Sequence, residues 1–343
     1  MSQDNALNLL LALLNSQRQP CLWIADEHVA GMQIPVNPVV EVISNRVDVA
    51  DALSKQGWNS RFSDLDFSHI DDGSLTAVYF RLAKEKALVN HVINQAARIL
   101  KPGGQLFISG EKQQGIKTYT RKAGQCLAGK AEIKKHANHY LASISRGQQV
   151  ADWLDDQDYP GLRATLSYEE IKIVSKPGQF GWNKLDKGSV LLAQQFDKIQ
   201  IDTPSTILDL GCGYGLLSLA AHRQWPAAKI SATDNNAAAL ISCQANFNQQ
   251  AISGEVVAAD CAATIVKQHD LVLCNPPFHQ GFAVENQLTE QFISTAKRLC
   301  QPAGCALFVV NAFIPLERIA KKYFAQQQLL LNDGHFKLFK LYD

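Results

Sequence analysis

The sequence predicts an α/β protein built as two tandem halves, each a parallel sheet flanked by helices. Short apolar runs alternate with helical patterns along the whole chain, which puts strands in a parallel sheet and helices on its faces. The 343 residues are long for one domain and comfortable for two. The halves also echo one another. Ala97-Arg98-Ile99-Leu100-Lys101-Pro102-Gly103-Gly104 ends a helix at a Pro/Gly turn before Leu106-Phe107-Ile108. Ala296-Lys297-Arg298-Leu299-Cys300-Gln301-Pro302-Ala303-Gly304 does the same before Leu307-Phe308-Val309. Matching strands lie about 185 to 200 residues apart, the drifting offset that loop insertions leave in a duplicated domain.

Composition narrows the classes. Hydrophobic residues make up 46% and charged residues 19%, enough for packed cores and too apolar for a disordered chain. Lys plus Arg (33) nearly balances Asp plus Glu (32), for a net charge of +1. Any nucleic-acid contact must therefore come from a local patch. The 8 cysteines include no Cys-x-x-Cys pair, so no zinc pattern appears, no metal is expected, and buried thiols in a reducing cytoplasm are.

The elements follow in chain order. The apolar run Leu9–Leu14 has no basic residues before it and is too short to span a bilayer. Leu7, Leu10, Leu11 and Leu14 instead fit one face of a short helix, so the protein is expected to be cytoplasmic with no membrane association. Strands are expected at Cys21–Ala25, Val39–Ser44, Leu75–Phe80 and Gln105–Ser109 in the first half. In the second they are expected at Thr206–Leu210, Lys229–Thr233, Glu255–Ala258, Asp270–Cys274 and Cys305–Val310. Between the halves, residues 151–164 form an acidic, turn-rich linker with Asp152, Asp155, Asp156, Asp158 and Pro160-Gly161. Before it, Lys112 to Arg146 gathers eight basic residues, among them Lys134 and Lys135, against a single Glu132. That run reads equally as a solvated helix face or as a phosphate-contacting patch. At the C-terminus, Asn332-Asp333-Gly334 between Leu329-Leu330-Leu331 and Phe336…Leu341 signals an antiparallel hairpin.

Three motifs carry chemistry. In Ile207-Leu208-Asp209-Leu210-Gly211-Cys212-Gly213-Tyr214-Gly215, a strand runs into a glycine loop that lets backbone pass close under a ligand. The third glycine follows the second by two residues, unlike the nicotinamide fingerprint, and Asp209 would repel a pyrophosphate. A cationic amino group suits Asp209 better, which points to S-adenosylmethionine over a nicotinamide dinucleotide. Asp234, ending the next strand, can accept both ribose hydroxyls or can cap the following helix. Asp260, after the third strand, fits an adenine amino group or an ordinary strand end.

The deciding motif is Asn275-Pro276-Pro277-Phe278, after the apolar strand Leu271-Val272-Leu273-Cys274. The Asn275 side-chain oxygen and the Pro276 carbonyl can each accept one N–H of a planar NH2. Pro277 stiffens the loop and Phe278 can stack on a base. Two such bonds push the nitrogen toward tetrahedral geometry and aim its lone pair at a methyl group, so positioning supplies the rate.

Residues 165–343, with these motifs, resemble a class I S-adenosylmethionine-dependent methyltransferase of the amino-methylating branch. Asn275-Pro-Pro-Phe-His279-Gln280 and Phe180…Leu185-Asp186-x-Gly188-Ser189 resemble more narrowly the bacterial ribosomal RNA guanine-N2 methyltransferases. That family comprises a small-subunit enzyme (RsmC) and its large-subunit sister (RlmG). The resemblance implies two tandem Rossmann-like methyltransferase domains, the first degenerate (1–150) and the second catalytic (165–343). It implies S-adenosylmethionine as cofactor, guanine N2 as acceptor, and ribosomal RNA or a ribosomal subunit as partner. The protein is separately expected to be a monomer. Carried over by position, Asp209, Gly211, Gly213 and Asp234 belong to cofactor binding, and Asn275, Pro276 and Phe278 to the acceptor site. Phe180 and Asp186 fall in a segment beside cofactor and acceptor and are expected to meet substrate RNA. The chain departs from the family at Gly181-Trp182-Asn183-Lys184, where a Ser-Arg-type turn is expected.

The first half lacks this equipment. Trp23-Ile24-Ala25-Asp26-Glu27-His28 stands in place of the glycine loop, and Phe80-Arg81-Leu82-Ala83-Lys84 in place of the acceptor motif. It reads as a spent copy that packs the catalytic half and grips RNA with Arg81, Lys84, Lys134 and Lys135. The leading reading is guanine-N2 methylation of small-subunit (16S) ribosomal RNA. Three others compete: guanine-N2 methylation of large-subunit (23S) ribosomal RNA, glutamine-N5 methylation of a protein, whose enzymes also use Asn-Pro-Pro, and a non-catalytic RNA-binding assembly factor. His279 reads as a proton acceptor or as a loop histidine.

Overall fold

The computed structural model describes residues 5–277 and 282–343, and the chain divides into two units, 1–161 and 162–343. In the first, β1 (Cys21–Ile24), β2 (Val40–Ser44), β3 (Asn59–Phe62), β4 (Leu75–Arg81), β5 (Leu100–Glu111), β6 (Ala131–His136) and β7 (His139–Ser145) form one sheet in the order β3-β2-β1-β4-β5-β7-β6. The first five strands are parallel, and β7 runs antiparallel to β5 and to β6. The second unit opens with a hairpin, β8 (Arg163–Tyr168) and β9 (Ile171–Ser175). Its sheet contains β10 (Thr206–Leu210), β11 (Lys229–Asp234), β12 (Gly254–Ala258), β13 (His269–Cys274), β14 (Cys300–Asn311), β15 (Gln326–Asn332) and β16 (Phe336–Tyr342). Its order, β12-β11-β10-β13-β14-β16-β15, repeats the first sheet strand for strand.

The repetition extends to a defect. The β4–β5 register slips between Leu75 and Ala77, and the β13–β14 register slips at the matching place, between His269 and Leu271. Each slip lies beside a turn glycine that a side chain would block. A Cβ on Gly104 would lie 2.9 Å from the Lys101 carbonyl, and one on Gly304 2.6 Å from that of Asp270. A shared bulge at one register position is what duplication leaves.

Helices cover both faces of each sheet. In the first unit these are α1 (Asn5–Leu14), α2 (Val47–Lys55), α3 (Lys86–Ile99) and α4 (Ile116–Cys126). In the second they are α5 (Lys187–Ala193), α6 (Leu216–Gln224), α7 (Ala237–Gln249), α8 (Phe282–Leu299) and α9 (Leu316–Ala320). Central strands are therefore mostly buried and rich in apolar residues, as parallel strands covered on both sides require, with Asp209 a buried exception in β10. Leu22 and Ile24 of β1 enter one core with α3, while Cys21 and Trp23 enter the other with α1 and α2. Leu7, Leu10, Leu11 and Leu14 are all buried along α1, as their spacing predicts.

Differences from expectation fall where apolar patterning is weak. Edge strand β3 alternates exposed and half-buried residues, and β6 is exposed along its whole length. Lys134 and Lys135 thus sit on a strand rather than a helix face. As neighbours on a strand they point to opposite sides of the sheet, and lysines on an edge also deter pairing with another chain. The acidic stretch expected to be a linker folds back onto α3. Asn94 bonds the Leu154 backbone in both directions, Asn90 donates to the Asp155 carbonyl, and His91 pairs with Asp156 at 3.0 Å. The buried Tyr159 hydroxyl donates to Asp64 at 2.9 Å. No helix among the described residues is long and apolar enough to cross a membrane.

Candidate active site

The site forms at the carboxyl ends of β10, β11 and β13, where strand order reverses and an open α/β sheet leaves a crevice. Leaving β10, the chain passes through Gly211, Gly213 and Gly215, all at positive φ. The loop is tied to the end of β11: Gly211 and Cys212 N–H both donate to the Thr233 carbonyl at 2.9 Å, and Gly213 N–H donates to Asp234 Oδ2 at 3.0 Å. At Gly213, φ is +54°, and among the described residues no atom beyond its chain neighbours lies within 4 Å of where a Cβ would stand. Glycine is most at ease there, and its open side faces none of the described residues.

Asp209 lies beneath the loop, 1% exposed. Its Oδ2 accepts both Ser218 N–H (2.9 Å) and Ser218 Oγ (2.6 Å), fixing the first turn of α6. Its Oδ1 is buried without a hydrogen-bond partner among the described residues. Burial pushes its pKa up to about 6, against the two Ser218 hydrogen bonds, which pull it down. The carboxylate is thus built into the loop, with one oxygen left for a donor. Asp234 is not the cap of α7, since Asn236 holds that place by accepting from Ala239 N–H. Asp234 instead receives Gly213 and Asn236 N–H, one on each oxygen. Asp260 accepts from the Asn235 side chain at 2.9 Å, in a turn where Cys261 and Ala262 both take positive φ. Non-glycine residues rarely do so, and such strain clusters at functional sites.

Across the loop, β13 delivers Asn275 and the buried Pro276. Asn275 Nδ2 donates to Asp186 Oδ1 at 2.6 Å and to Ser189 Oγ at 2.9 Å. Both amide hydrogens are thereby spent, and Asn275 Oδ1 keeps its lone pairs for another donor. Asp186 Oδ1 also accepts Ser189 N–H at 2.8 Å, capping α5. A Cβ on Gly188 would lie 3.3 Å from Asn275 Nδ2 and from Asp186 Oδ1, so glycine lets α5 close on the amide. The glycine loop holds the same segment: the Tyr214 hydroxyl donates to the Lys184 carbonyl and accepts Asp186 N–H, each at 3.3 Å.

The structure thus brings Asp209, Gly211, Gly213, Asp234, Asp260, Asn275, Pro276 and Asp186 to one end of one sheet. Asp186, expected to meet RNA, has its Oδ1 engaged by Asn275 and Ser189. Phe180 is 62% exposed, with Lys184 Nζ 5.7 Å from its ring centre. Its loop is anchored by buried Gln179, which bonds Ser242 Oγ and the Ala238 carbonyl. Phe278 and His279 lie outside the described residues. Ser218 and Asn236 carry no sequence signal, and the motifs that contain Ser189 and Tyr214 do not announce what those side chains hold, since Ser189 meets Asn275 86 residues away and Tyr214 reaches back 28 to Asp186.

In the first unit the same positions are filled differently. Strand register sets Arg81 where Asn275 stands, Ser44 where Asp234 stands, and Ala25-Asp26-Glu27 where Gly211-Cys212-Gly213 stand. The Arg81 guanidinium is buried against Asp26 Oδ2 at 3.3 Å. That corrects the expectation that Arg81 grips RNA: a buried charge with a carboxylate partner stays with it. Lys84 is exposed, as are Lys134 and Lys135. Among the described residues, Asp26, Glu27 and His28 form the group with metal-ligand spacing, and Asp26 already serves Arg81 and His28.

A seven-stranded sheet in this order, with a glycine loop after its first strand and Asn-Pro-Pro after its fourth, defines a class I methyltransferase domain. Residues 170–340 match the family model described as Methyltransferase small domain, and residues 25–156 match Methyltransferase small domain N-terminal. The Ribosomal RNA small subunit methyltransferase C of Proteus mirabilis (strain HI4320) is 29% identical over 265 residues, covering 77% of this chain and 76% of its own. That of Pseudomonas aeruginosa (strain LESB58) is 28% identical over 268 residues, covering 78% and 79%. The solved T. thermophilus 16S rRNA N2 G1207 methyltransferase, in complex with AdoMet and guanosine, superimposes with a TM-score of 0.83. It is 22% identical, over 100% of this chain and 92% of that one, and so supports the fold. The chain belongs to the two-domain methyltransferase family of the ribosomal RNA small subunit methyltransferases C.

Proposed function

We propose that the protein transfers a methyl group from S-adenosylmethionine to the exocyclic N2 of a guanine in small-subunit ribosomal RNA. The observation that carries this reading is the Asn275 amide, whose NH2 is held by Asp186 and Ser189 so that its oxygen is left to receive an amine. The residues around the glycine loop fit the cofactor. Among the described residues Gly213 leaves an open side and Asp209 Oδ1 has no partner, which suits a cationic amino group, while Asp234 and Asp260 offer acceptors at the strand ends.

The bound cofactor supplies an electrophilic methyl on a sulfonium that leaves readily. The chain's own part is positioning. Asn275 Oδ1 and the Pro276 carbonyl each accept one N–H of the amine. Those bonds strengthen as the nitrogen loses conjugation with the ring, so they favour the transition state over the ground state. The nitrogen lone pair would form the new C–N bond as the methyl's bond to sulfur breaks, leaving a neutral thioether, and the surplus proton would leave the nitrogen for solvent. The exposed Phe180 and Lys184 supply an aromatic face and a charge beside the site for RNA. Lys84, Lys134 and Lys135 give the first unit, whose own site is filled, exposed charge for phosphates. The protein works in the cytoplasm as a monomer on ribosomal RNA or the ribosomal subunit.

The test is purified protein with methyl-labelled cofactor, offered ribosomal RNA, small subunits and ribosomal proteins in parallel. Label in one guanine of small-subunit RNA, mapped by nuclease digestion and mass spectrometry, is expected. Label in a glutamine of a protein, or in large-subunit RNA, overturns the assignment.

A further inference from the structure

Beside the acceptor amide the second unit opens a cleft of about 830 Å³, within the range of small-molecule sites. Helix α5 separates the two. Lys187, Val190 and Leu191 share the helix face that lines the cleft, while Gly188 and Ser189 face Asn275. Across the cleft stand Asn311 and Phe313, at the end of β14, and Phe336, after the β15–β16 turn. The partition is thin: a Cβ on Gly188 would be 3.3 Å from Asn275 Nδ2 and 3.3 Å from the Phe336 ring. The cleft thus lies one helix backbone away from the place where the target amine is held.

Its chemistry is that of a nucleobase seat. The walls are aliphatic and aromatic, and Phe313 is 56% exposed. The Asn311 amide, a donor and an acceptor together, has no hydrogen bond among the described residues. Neither does the Lys187 ammonium, which is exposed at the mouth. At the turn, Asp333 Oδ1 accepts His335 and Phe336 N–H, which keeps that carboxylate ionised and turned toward its own loop through one oxygen. A flat, uncharged, hydrogen-bonding group attached to an anion fits this set, and an RNA strand whose guanine lies at Asn275 brings such a group within reach on either side.

We infer that the cleft seats the base adjoining the target guanine on the same strand, stacked on Phe313, with its phosphate at Lys187. The inference rests on the ribosomal RNA reading above. The test uses single-stranded RNA oligonucleotides with one guanine, either intact or with an abasic residue on its 5′ or its 3′ side. Binding is followed by fluorescence anisotropy with S-adenosylhomocysteine present. One of the two abasic RNAs should bind the parent about ten- to a hundredfold more weakly than the intact RNA, the range expected for loss of one stacked base. Phe313→Ala should erase most of that difference and Phe313→Trp should keep it, with thermal melting confirming that both variants fold. Failure of the intact RNA to bind, absence of a penalty at both neighbours, or an equal penalty in Phe313→Ala overturns the proposal. Methyl transfer is read separately. A Phe313-dependent penalty without methylation at guanine N2 rejects the acceptor assignment and leaves the cleft standing; methylation without the penalty does the reverse.

Discussion

Replacing Asp186 with alanine separates a residue that positions the acceptor from one that touches RNA. Asp186 Oδ1 serves two donors, Asn275 Nδ2 at 2.6 Å and Ser189 N–H at 2.8 Å. Losing the second removes the α5 cap, at a cost of about 0.5–2 kcal/mol in stability. Losing the first removes a charge-assisted hydrogen bond, worth about 1.5–3 kcal/mol. Ser189 Oγ remains beside Asn275, but a hydroxyl donates as well as accepts, so it no longer dictates which way the amide faces. In the flipped orientation NH2 meets the substrate amine and no bond forms. An orientation preference lowered by that energy corresponds to about a 10- to 150-fold loss in the rate of transfer. Single-turnover rates at saturating cofactor and RNA measure it, and calorimetric melting reports the cap. The loss should be equally large with a guanosine mononucleotide and with long RNA, because it falls on the amine. Asp186→Asn, which keeps an acceptor oxygen, should recover most of the rate. If Asp186→Ala melts lower yet transfers methyl within a few-fold of the parent, Asp186 does not set the Asn275 amide. If only RNA affinity falls, it contacts RNA instead.

Asn275→Ala should bind cofactor normally and lose on the order of 10²–10³ in rate, as loss of a preorganised polar group does; single-turnover kinetics within a few-fold of the parent would remove the loop from the mechanism. Asp209 is an acid whose folded pKa is raised by burial, from 3.8 to about 6. The stability it contributes is therefore fully present below about pH 3.8 and is lost as pH rises through 6. The difference amounts to about 3 kcal/mol. Asp209→Asn keeps the acceptor for Ser218 and cannot ionise, so its urea midpoint should exceed the parent's at pH 7 and match it near pH 4; parallel curves would reject this account. Lys134→Glu with Lys135→Glu should flatten the salt dependence of RNA binding by about 0.7–0.9 in log–log slope per lost phosphate contact. An unchanged slope would leave both lysines as edge protection alone.

Much of the second unit was legible because its chemistry sits in short runs. Asp209 through Gly215 and Asn275 through Pro277 each announce a strand end and the turn that follows it within a few residues. The repeat was legible too, since Pro/Gly turns mark the same place in both sheets. What escaped was of two kinds. Strands β3 and β6 have no apolar face to bury, so their sequences look like loop or helix surface. The network behind Asn275 escaped because Asp186 and Ser189 meet it from a distant part of the chain, with Tyr214 bracing Asp186 from the glycine loop, and an Asp or Ser before a helix reads as a cap whatever else it holds. Arg81 misled for a related reason. A basic residue in a loop suggests phosphate until its partner, Asp26, is seen 55 positions away.

The acceptor amide is held by a segment that lies outside the repeated sheet. Asn275 follows β13, but its two anchors, Asp186 and Ser189, precede β10 by many residues and are separated from it by 89 and 86 positions. The strands can therefore be fully paired while the catalytic amide is still unaligned. In terms of local stability, transfer depends on a short helix capped by one carboxylate and latched by one tyrosine hydroxyl, not on the sheet that supplies the cores. Opening of that helix is a smaller event than global unfolding, and it disarms the site while the cofactor loop, tied independently to β11, stays intact. During synthesis the anchors are made first and wait for Asn275, so the site becomes competent only after β13 has joined the sheet.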